Sequence, residues 1–485
     1  MGRWCRGAAL LLLLLATAEC SGPARPTPEA PPPAIAPAAR PTDSLIIDTS
    51  QIRPMYDRRM FAIDLATTVR VALARNIDIQ EAQQHVAAAR GQYEANIGMI
   101  FPTVSPGITA RGLRGAVETP GGLAVLGFNH VFPTAVLQWI INPGQVAYDI
   151  IASKRRLDAS DHQDLTVVQE TMRAAVVQYY EVVLTQAQVA VAKRSLDEAT
   201  ELVRIEHLKA ATGTALPVDE LRAQAALAAR QQNLLTAVNG FYQASVALTV
   251  MLRLDPTVIL VPKNVVRETP LVREDLTIEG MLVMATRYRP DLAAVRDLVG
   301  AADAGVGSTI WGGLGPSINA FRSFSSPPPA KSLNDTLYRD QTYVATGGFE
   351  FSAATFGRIR TAIANAGIAK TEAERALDVA QAAVVTAHQA TLTAREKLPL
   401  ARQEVAFADE ALRKTQTNLE AGTGLTIDVL VAQDAADQAR LRHVTAVIRY
   451  NQAEIDLLAA LGLMEEARLP GGGPALPPRP KIKER

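Results

Sequence analysis

Three features that are common in other protein classes are scarce in this chain of 485 residues. It has no excess of either charge, since Lys+Arg and Asp+Glu both number 49, and we therefore expect no nucleic-acid partner. Beyond the first twenty residues it has no run of about 18 to 20 uninterrupted apolar residues, which argues against a bundle of membrane-spanning helices. Its two cysteines are too few for a disulfide scaffold.

The N-terminus has the layout of a secretory signal. Two arginines precede an apolar run from Ala8 to Ala16, and small residues then supply a cleavage site. The apolar run is too short to span a bilayer as a helix. We therefore expect residues 1–19 to be a signal peptide and the mature chain to be exported.

Cys20 is the one cysteine that would remain after cleavage, and Ser21-Gly22 follows it. A cysteine at this place is typical of the acylated first residue of a bacterial lipoprotein, although Glu19 departs from the small residue usually found before it. Two interpretations stay open: lipid attachment at Cys20, which would anchor the chain to outer-membrane lipid, or a free thiol in a flexible tail.

Proline and glycine mark both ends of the folded body. Residues 20–60 are rich in proline and alanine, a composition that favours an extended tether. Residues 464–485 combine proline and glycine with basic residues, and we expect them to be a disordered tail.

The folded body repeats once. Thr212-Gly213-Thr214 corresponds to Ala421-Gly422-Thr423, and the same register 209 residues apart continues into the segment that follows. A period this long indicates two copies of one supersecondary unit. The first copy covers residues 61–255 and the second covers 276–463, with a linker at 256–275.

Each copy contains a long helical pattern. Residues 145–212 have neither glycine nor proline, and apolar residues recur there every seven positions, at Val168, Ala175, Val182, Val189, Leu196 and Val203, with Leu165, Met172 and Tyr179 in a companion row. A helix of about 68 residues would be on the order of 100 Å long. The second copy has an equivalent series over 358–420, where Pro399 predicts a kink or a break. Shorter helices are expected at 216–253 and 426–461.

Strand patterns precede both long helices. Residues 103–142 and 317–354 alternate apolar and polar side chains, and a loop of turn-forming residues divides each region. Tyr343, Phe349 and Phe351 fall on one side of the alternation and Thr346 on the other. Aromatic residues gather in these regions, as in strands with interfacial aromatic belts, although an ordinary soluble hairpin is the alternative.

Each copy is therefore predicted to be helix, hairpin, long helix and helix, in an α+β membrane protein. Two hairpins supply four strands, which are too few to close a barrel, and an open edge in hydrocarbon would leave backbone groups unpaired. We expect several copies to share one β-barrel that continues into a tube of helices.

Short motifs occur in a fixed order along the two copies: Ala72-Leu73-Ala74-Arg75-Asn76, Arg289-Pro290-Asp291-Leu292, Ala421-Gly422-Thr423, Asp428-Val429-Leu430 with Ala432-Gln433, and Ala459-Ala460-Leu461-Gly462. Together they resemble the TolC-type outer membrane efflux proteins, also called outer membrane factors. The resemblance covers residues 61–463. It implies a homotrimer in which a 12-stranded β-barrel in the outer membrane joins a long α-helical barrel in the periplasm.

The resemblance also implies a function. The chain would be the exit duct of a tripartite efflux system, receiving small molecules or metal ions from an inner-membrane efflux pump through a periplasmic adaptor, the membrane fusion protein. The tethered start favours this branch over a duct for type I protein secretion. A coiled-coil adaptor is the alternative from a different class, but an adaptor would not repeat the whole unit. The sequence identifies neither the substrate nor the cognate pump and adaptor.

In that family the hairpin tips form the periplasmic entrance and the adaptor-docking surface. The corresponding residues here are Gly213 and Thr214 in the first copy and Gly422, Thr423 and Gly424 in the second. Glycine suits a tip because it accepts left-handed backbone conformations. Because Gly424 stands where some relatives carry a charged residue, the closing contacts of those relatives are not expected here.

Asp219 and Asp428 follow the two tips, and the resemblance implies that Asp428 belongs to a ring of carboxylates at the aperture. Such a ring would form a gate that favours cations and responds to pH. The alternative is that each aspartate only stabilises the N-terminus of its helix through the helix dipole.

Signals for catalysis are weak throughout the chain. The six histidines show no metal-ligand spacing, and the glycines of Gly305-Val306-Gly307-Ser308 lack the rest of a phosphate or nucleophile motif. We therefore expect no enzymatic activity, no catalytic residue, no metal site and no cofactor.

Overall fold

The computed structural model describes residues 59–213, 216–263, 267–273, 275–325 and 340–465. The signal peptide, Cys20, nearly all of the tether, Thr214 and nearly all of the tail lie outside these residues. The helices of the described part are α1 Leu65–Arg75, α2 Ile77–Gly98, α3 Pro143–Ala211, α4 Pro217–Met251, α5 Ile278–Tyr288, α6 Pro290–Leu314, α7 Ala354–Glu420 and α8 Thr426–Ala460. Its strands are β1 Met60–Ile63, β2 Thr103–Thr119, β3 Gly122–Ile141, β4 Ile259–Pro262, β5 Pro316–Ser325 and β6 Asp340–Phe349.

The elements follow the same order twice. The first series is α1, α2, β2, β3, α3 and α4, and the second is α5, α6, β5, β6, α7 and α8. Helices α3 and α7 have 69 and 67 residues, and α4 and α8 have 35 each. At 1.5 Å per residue the two long helices extend on the order of 100 Å. Each series thus supplies one long rod and one shorter helix that returns beside it.

Helix α3 begins where its sequence can satisfy the first turn. The Asn142 side chain accepts a hydrogen bond from the Gln145 N–H at 3.1 Å, and Pro143 occupies the first helical position. Further along, Ala175 and other residues of the heptad series are buried. Leu165 is an exception to the predicted seam, with 51% of its surface exposed. Leu165 lies about one turn N-terminal to Gln169, whose side chain donates to the carbonyl of Gly462 just after the end of α8. Helix α8 therefore ends before it reaches Leu165.

Helix α7 continues through Pro399 from Ala354 to Glu420, so of the two expected outcomes, a kink or a break, the break does not occur. Proline removes one backbone donor from a helix interior. Here the residues on either side are held by tertiary packing, since Leu398 and Ala401 are both buried. Packing along a helix of 67 residues therefore outweighs the local preference of one proline.

Strands of both repeats form one antiparallel sheet in the order β2-β3-β5-β6. The two hairpins meet along β3 and β5, where Trp139 lies opposite Ala320. Within the described part of the chain, β2 and β6 have no partner on their outer sides. Strand β6 ends at Phe349, so the alternation wrongly placed Phe351 in the strand. The Phe351 ring instead lies edge-on to Phe356 at 5.9 Å.

The segment predicted to be a plain linker at 256–275 contains strand β4. This strand pairs in parallel with β1, from Met60 opposite Ile259 to Ile63 opposite Pro262. The pairing brings together segments about 200 residues apart in the sequence. The linker is therefore part of the folded body.

Residues 267–273 of the same linker lie along α8. The Asn451 carboxamide accepts the Thr269 N–H at 3.0 Å, and the Glu454 carboxylate accepts the N–H groups of Leu271 and Val272 at 2.9 and 3.0 Å. Glu454 is only 3% exposed. These side chains satisfy backbone groups that have no strand partner, and so fix the linker on the helices.

The largest apolar core lies where α3, α4 and α8 meet the small parallel sheet, and its members include Val182, Phe241, Leu248, Ile259 and Ile448. Helix α4 has the length and composition of a membrane-spanning helix. Its residues Phe241 and Leu248 are completely buried in this core. These two residues thus pack within the chain, whereas only 22% of the most apolar stretch of α4 is buried.

Candidate functional site

The two hairpin tips end in matching turns. Gly213 and Gly422 follow α3 and α7 with φ angles of +76° and +75°, in the left-handed region that favours glycine. The Gly213 N–H donates to the Ala210 carbonyl and the Gly422 N–H to the Leu419 carbonyl, both at 3.1 Å. The predicted role of these glycines in turning the chain at the tips therefore has a geometric basis.

Gly424 has a different reason to be glycine. Its N–H and that of Thr423 both donate to the Asn418 carbonyl, at 2.9 and 3.0 Å. A Cβ atom at Gly424 would lie 2.9 Å from the backbone nitrogen of Leu419, which is closer than backbone atoms allow. The second tip therefore has no room for a side chain at this position, and a charged residue there would require a different turn.

Asp219 and Asp428 occupy equivalent places, each the third residue of its helix. The residues that precede the helices, Leu216 and Leu425, have no side chain that can cap them. Both aspartates can therefore interact with the positive helix N-terminus. Their charges differ in environment: the Asp219 carboxylate accepts a hydrogen bond from Arg222 at 3.0 Å, whereas Asp428 is exposed.

A lysine links the two tips. Lys209 Nζ, near the end of α3, donates to the Leu419 carbonyl at the end of α7, at 2.6 Å. Lys209 also lies 3.8 Å from the buried Glu206 carboxylate. A basic residue in the last turn of a helix is a recognised sequence signal for interaction with C-terminal carbonyls, but the sequence does not show that the partner belongs to the other hairpin.

Beneath the tips the hairpins share a small apolar cluster. Leu202 of α3 and Ala223 of α4 pack with Leu412, Leu419 and Val429 of the second hairpin. His207 bridges α3 and α4, with its Nδ1 3.0 Å from a Glu220 carboxylate oxygen. The ends of the four helices thus form one packed unit.

The sheet has one apolar and one polar face. From the register and the alternation of side chains, the apolar face carries the exposed residues Val104, Ile108, Val125, Val131, Tyr343 and Phe349. The other face carries Ser105, Thr109, Thr134, Asn319 and Thr346. Both faces have exceptions, which are Val136, Ile140, Phe321 and Val344 on the polar face and Arg114, Glu118, Asn129 and Arg322 on the apolar face. Because a membrane barrel needs lipid-facing residues outside and polar residues inside, this sheet has the composition of a barrel wall.

Among the residues that the structure describes, no group of three or more His, Cys, Asp or Glu side chains could hold a metal ion.

The sequence profile described as outer membrane efflux protein matches residues 68–252 and 281–463. The outer-membrane channel OprN is similar in fold, with 19% identity, coverage of 88% of this chain and 99% of that chain, and a TM-score of 0.72. The CmeC outer membrane channel of Campylobacter jejuni has 16% identity, coverage of 88% and 94%, and a TM-score of 0.70. The open state of the MtrE outer membrane channel of Neisseria gonorrhoeae has 17% identity, coverage of 88% and 98%, and a TM-score of 0.65.

A search of curated proteins gives no match. The family profile nevertheless covers both repeats and well over half of the sequence. The chain therefore belongs to the outer membrane efflux protein family, whose members are outer-membrane channels that extend into the periplasm and are not enzymes.

Proposed function

We propose that three copies of this chain form the exit duct of a tripartite efflux system, passing small molecules or metal ions from an inner-membrane pump and a periplasmic adaptor to the outside. The observation that carries this proposal is the four-stranded sheet, which has an exposed, mostly apolar face and two edge strands without a partner among the described residues. Unpaired backbone groups are costly in hydrocarbon. Pairing of the edge strands with those of other copies would remove this cost.

Three copies would supply twelve strands, four from each chain. The barrel would close where β6 of one copy pairs with β2 of the next, since these are the two edge strands. The residues of the apolar face would then meet lipid, and Ser105, Thr109 and Thr346 would line the water-filled interior.

The helices would continue the barrel as a tube in the periplasm. Helix α3 contacts both α4 and α8, and α8 contacts α7, so the four helices lie side by side in the order α4, α3, α8, α7. The row ends at α4 on one side and at α7 on the other, and neighbouring copies would meet there. Exposed apolar residues on α4, such as Leu235, and on α7, such as Phe407, support contacts there.

The tips would form the entrance and the surface on which the adaptor docks. Residues Gly213, Gly422, Thr423 and Gly424 lie at this end of the tube. We also propose that Cys20 is acylated, since it follows the expected signal peptide. In that case Cys20→Ser would remove a lipid label from the mature protein, and an unchanged label would refute the assignment.

Two alternative functions share parts of the proposed architecture. A type I secretion duct would use the same barrel and tube for proteins, and the tethered start supports the efflux branch instead. A periplasmic adaptor would need neither a sheet with an apolar face nor a second copy of the whole unit. Membrane fractionation with analysis of detergent-resistant oligomers separates a channel from an adaptor, because a channel fractionates with the outer membrane as an oligomer. A soluble monomer would contradict the proposal.

A further inference from the structure

The register of the two repeats identifies equivalent residues on the tube helices. Helices α4 and α8 start at Pro217 and Thr426 and end at Met251 and Ala460, in both cases 209 residues apart. The ends of α3 and α7 are separated by the same number of residues. Because these four helices are continuous, a residue of α3 or α4 has its counterpart 209 positions later, on α7 or α8.

One contact inside the chain has a counterpart that a single chain cannot make. Where α3 meets the end of α8, the Gln169 side chain donates to the Gly462 carbonyl at 3.0 Å. The counterparts of these two residues are Asp378 on α7 and Arg253 just after α4. Helices α4 and α7 are the two ends of the row α4, α3, α8, α7, so they lie roughly 25 to 30 Å apart. Arg253 can therefore meet an Asp378 only in another copy.

Arg253 has an unusual backbone conformation. Its φ of +53° makes it the one residue other than glycine with a positive φ in the described part of the chain. The counterpart Gly462 has φ +72°, as expected at a position that favours glycine. Gly462 packs so closely on Arg289 that no side chain fits there, whereas Arg253 lines a cleft of about 690 Å³. The first repeat thus keeps a long basic side chain at a strained position that has room for it.

Arg253 and Asp378 carry opposite charges and are both exposed. Among the described residues, neither side chain makes a hydrogen bond or an ion pair. Asp378 cannot copy the bond from Gln169 to Gly462, because a carboxylate only accepts hydrogen bonds. The Arg253 guanidinium is the donor that suits it, since arginine and a carboxylate can form two parallel hydrogen bonds.

The face of α4 beside Arg253 is open in the same way. Three residues on one face of α8 are buried, and their counterparts on α4 are exposed. The α8 residues are Val444, Ile448 and Gln452, and the α4 residues are Leu235, Asn239 and Gln243. Gln452 donates to Glu181 of α3 at 3.3 Å. Helix α4 therefore leaves uncovered the face that α8 packs against α3.

Helix α7 has a matching open face. Ala382 on α7 is the counterpart of Arg173, which pairs with Asp456 of α8 at 2.7 Å. Ala247 on α4 is the counterpart of Asp456, and both alanines are exposed. Two small residues allow α7 of one copy to approach α4 of the next closely, and Asp378 lies one turn from Ala382 on α7.

We propose that Arg253 forms an ion pair with Asp378 of the partner subunit wherever α4 of one copy lies beside α7 of the next, a contact that we call the subunit boundary. The pair sets the register of the two helices, because a slip by one helical turn, about 5.4 Å, would separate the charges. The proposal rests on the proposed function in that the copies must form a tube.

Exchanging the two charges tests the pair. Purified oligomers that differ in their affinity tag are mixed in detergent, and the appearance of mixed oligomers gives the rate of subunit exchange. Arg253→Asp and Asp378→Arg each put like charges at every boundary. Since two boundaries break when one copy leaves a trimer, we expect each variant to exchange about tenfold faster than the wild type. The double variant Arg253→Asp, Asp378→Arg restores the wild-type rate.

Two controls separate the pair from other effects. Glu374→Arg makes the same change of charge one turn away on α7, where the counterpart Leu165 lies beyond the reach of α8, and it keeps the wild-type exchange rate. Arg253→Gly removes the strain together with the charge. An arginine that only ends α4 predicts an unchanged exchange rate for this variant, whereas the ion pair predicts faster exchange.

Cross-linking shows whether the two residues meet between copies. A chain with Arg253→Cys and a differently tagged chain with Asp378→Cys are produced together, both with Cys5→Ser and Cys20→Ser. A short bifunctional thiol reagent should give a cross-linked dimer that carries both tags. Neither chain produced alone should give this dimer.

The pair is contradicted if the double variant does not restore the wild-type rate, if Glu374→Arg acts like Asp378→Arg, or if no dimer with both tags forms. Any of these results in a channel that still conducts leaves the proposed function intact. Restored exchange and a dimer with both tags in an oligomer without a conducting pore would support the pair and contradict the proposed function. A wild-type chain that stays monomeric would overturn both.

Discussion

Lys209 of the first hairpin and Leu419 of the second are joined directly, with Nζ 2.6 Å from the carbonyl oxygen. This bond places a cation at the C-terminus of α7, where the helix dipole is negative. It also links helix ends that are 210 residues apart in the sequence. The two tips of one chain are therefore held to each other as well as by their own turns.

Replacing Lys209 with methionine keeps the length of the side chain and removes the bond. A hydrogen bond from a charged group contributes about 1.5 to 3 kcal/mol, so amide hydrogen exchange at residues 417–424 is expected to rise by about tenfold or more. Lys414→Met is the control, since Lys414 is exposed and pairs with Glu410 on its own helix. Equal exchange in Lys209→Met and Lys414→Met would show that the tips are held by other contacts.

Alanine substitutions at three glycines are expected to change the stability of the protein by different amounts. Gly422 has φ +75° in open space, so alanine there costs about 1 to 2 kcal/mol in backbone strain alone. Gly462 has φ +72°, and a Cβ would also lie 2.7 Å from the Arg289 backbone, so alanine costs more. Gly367 lies within α7 with open space around it, and alanine should stabilise the helix by about 0.5 to 1 kcal/mol.

Thermal unfolding of the three alanine variants tests this order. We expect Gly367→Ala to melt at or above the wild-type temperature, Gly422→Ala below it and Gly462→Ala lowest. A Gly462→Ala protein as stable as Gly422→Ala would mean that the approach of α8 to the start of α6 is less tight than described.

Helical periodicity is a local property of the sequence, and much of this fold could be predicted from it. The heptad residues Ala175 and Val182 are buried as their spacing predicts. The exceptions depend on distant partners: Leu165 is exposed because α8 ends before it, and Pro399 lies inside a helix that is held by packing. No pattern within residues 256–275 indicates that β4 finds its partner almost 200 residues earlier.

At the candidate site, too, local features could be predicted from the sequence and contacts between distant residues could not. Glycines at the tips and aspartates after them are visible in the sequence because turns and helix starts are local. Three other contacts are not visible in the sequence, because each joins residues from different hairpins: Lys209 with Leu419, Ser195 with Asp437, and Glu198 with Arg440. Until the helices are placed side by side, these polar and charged residues have the composition of any solvated helix surface.

Adjacent residues in the middle of β6 test the orientation of the sheet. Ala345 is on the apolar face and Thr346 on the polar face, and both are exposed. Ala345→Arg should reduce assembly in the outer membrane, because arginine facing lipid near the bilayer midplane costs about 2 to 4 kcal/mol. Thr346→Arg should leave assembly unchanged and lower the conductance to cations. Equal loss of assembled protein in both variants would mean that the assignment of the faces is wrong.

The two tip aspartates are expected to differ in their effect on ion selectivity. Asp428 is exposed, whereas Arg222 pairs with Asp219 and offsets its charge. Asp428→Asn should therefore shift the reversal potential of the channel in planar bilayers towards lower cation selectivity, and Asp219→Asn should shift it less.

If the aspartates act only on the helix dipole, the outcome is different. Each substitution would then lower stability by about 0.3 to 1 kcal/mol and leave selectivity unchanged. Measuring the reversal potential and the melting temperature on the same variants distinguishes a gate from a helix cap.

In the proposed channel the sheet of one chain closes into a barrel only with other copies, through its two edge strands. Ser105 on β2 and Thr346 on β6 lie on the polar face of the two edge strands, and cysteines placed at both sites can be joined by a flexible bifunctional thiol reagent in a Cys5→Ser, Cys20→Ser chain. In outer membranes the double variant should give a ladder of cross-linked species that ends at three copies, and neither single variant should give species beyond two. A double variant that remains monomeric in the membrane, or a ladder that continues beyond three copies, would contradict the account.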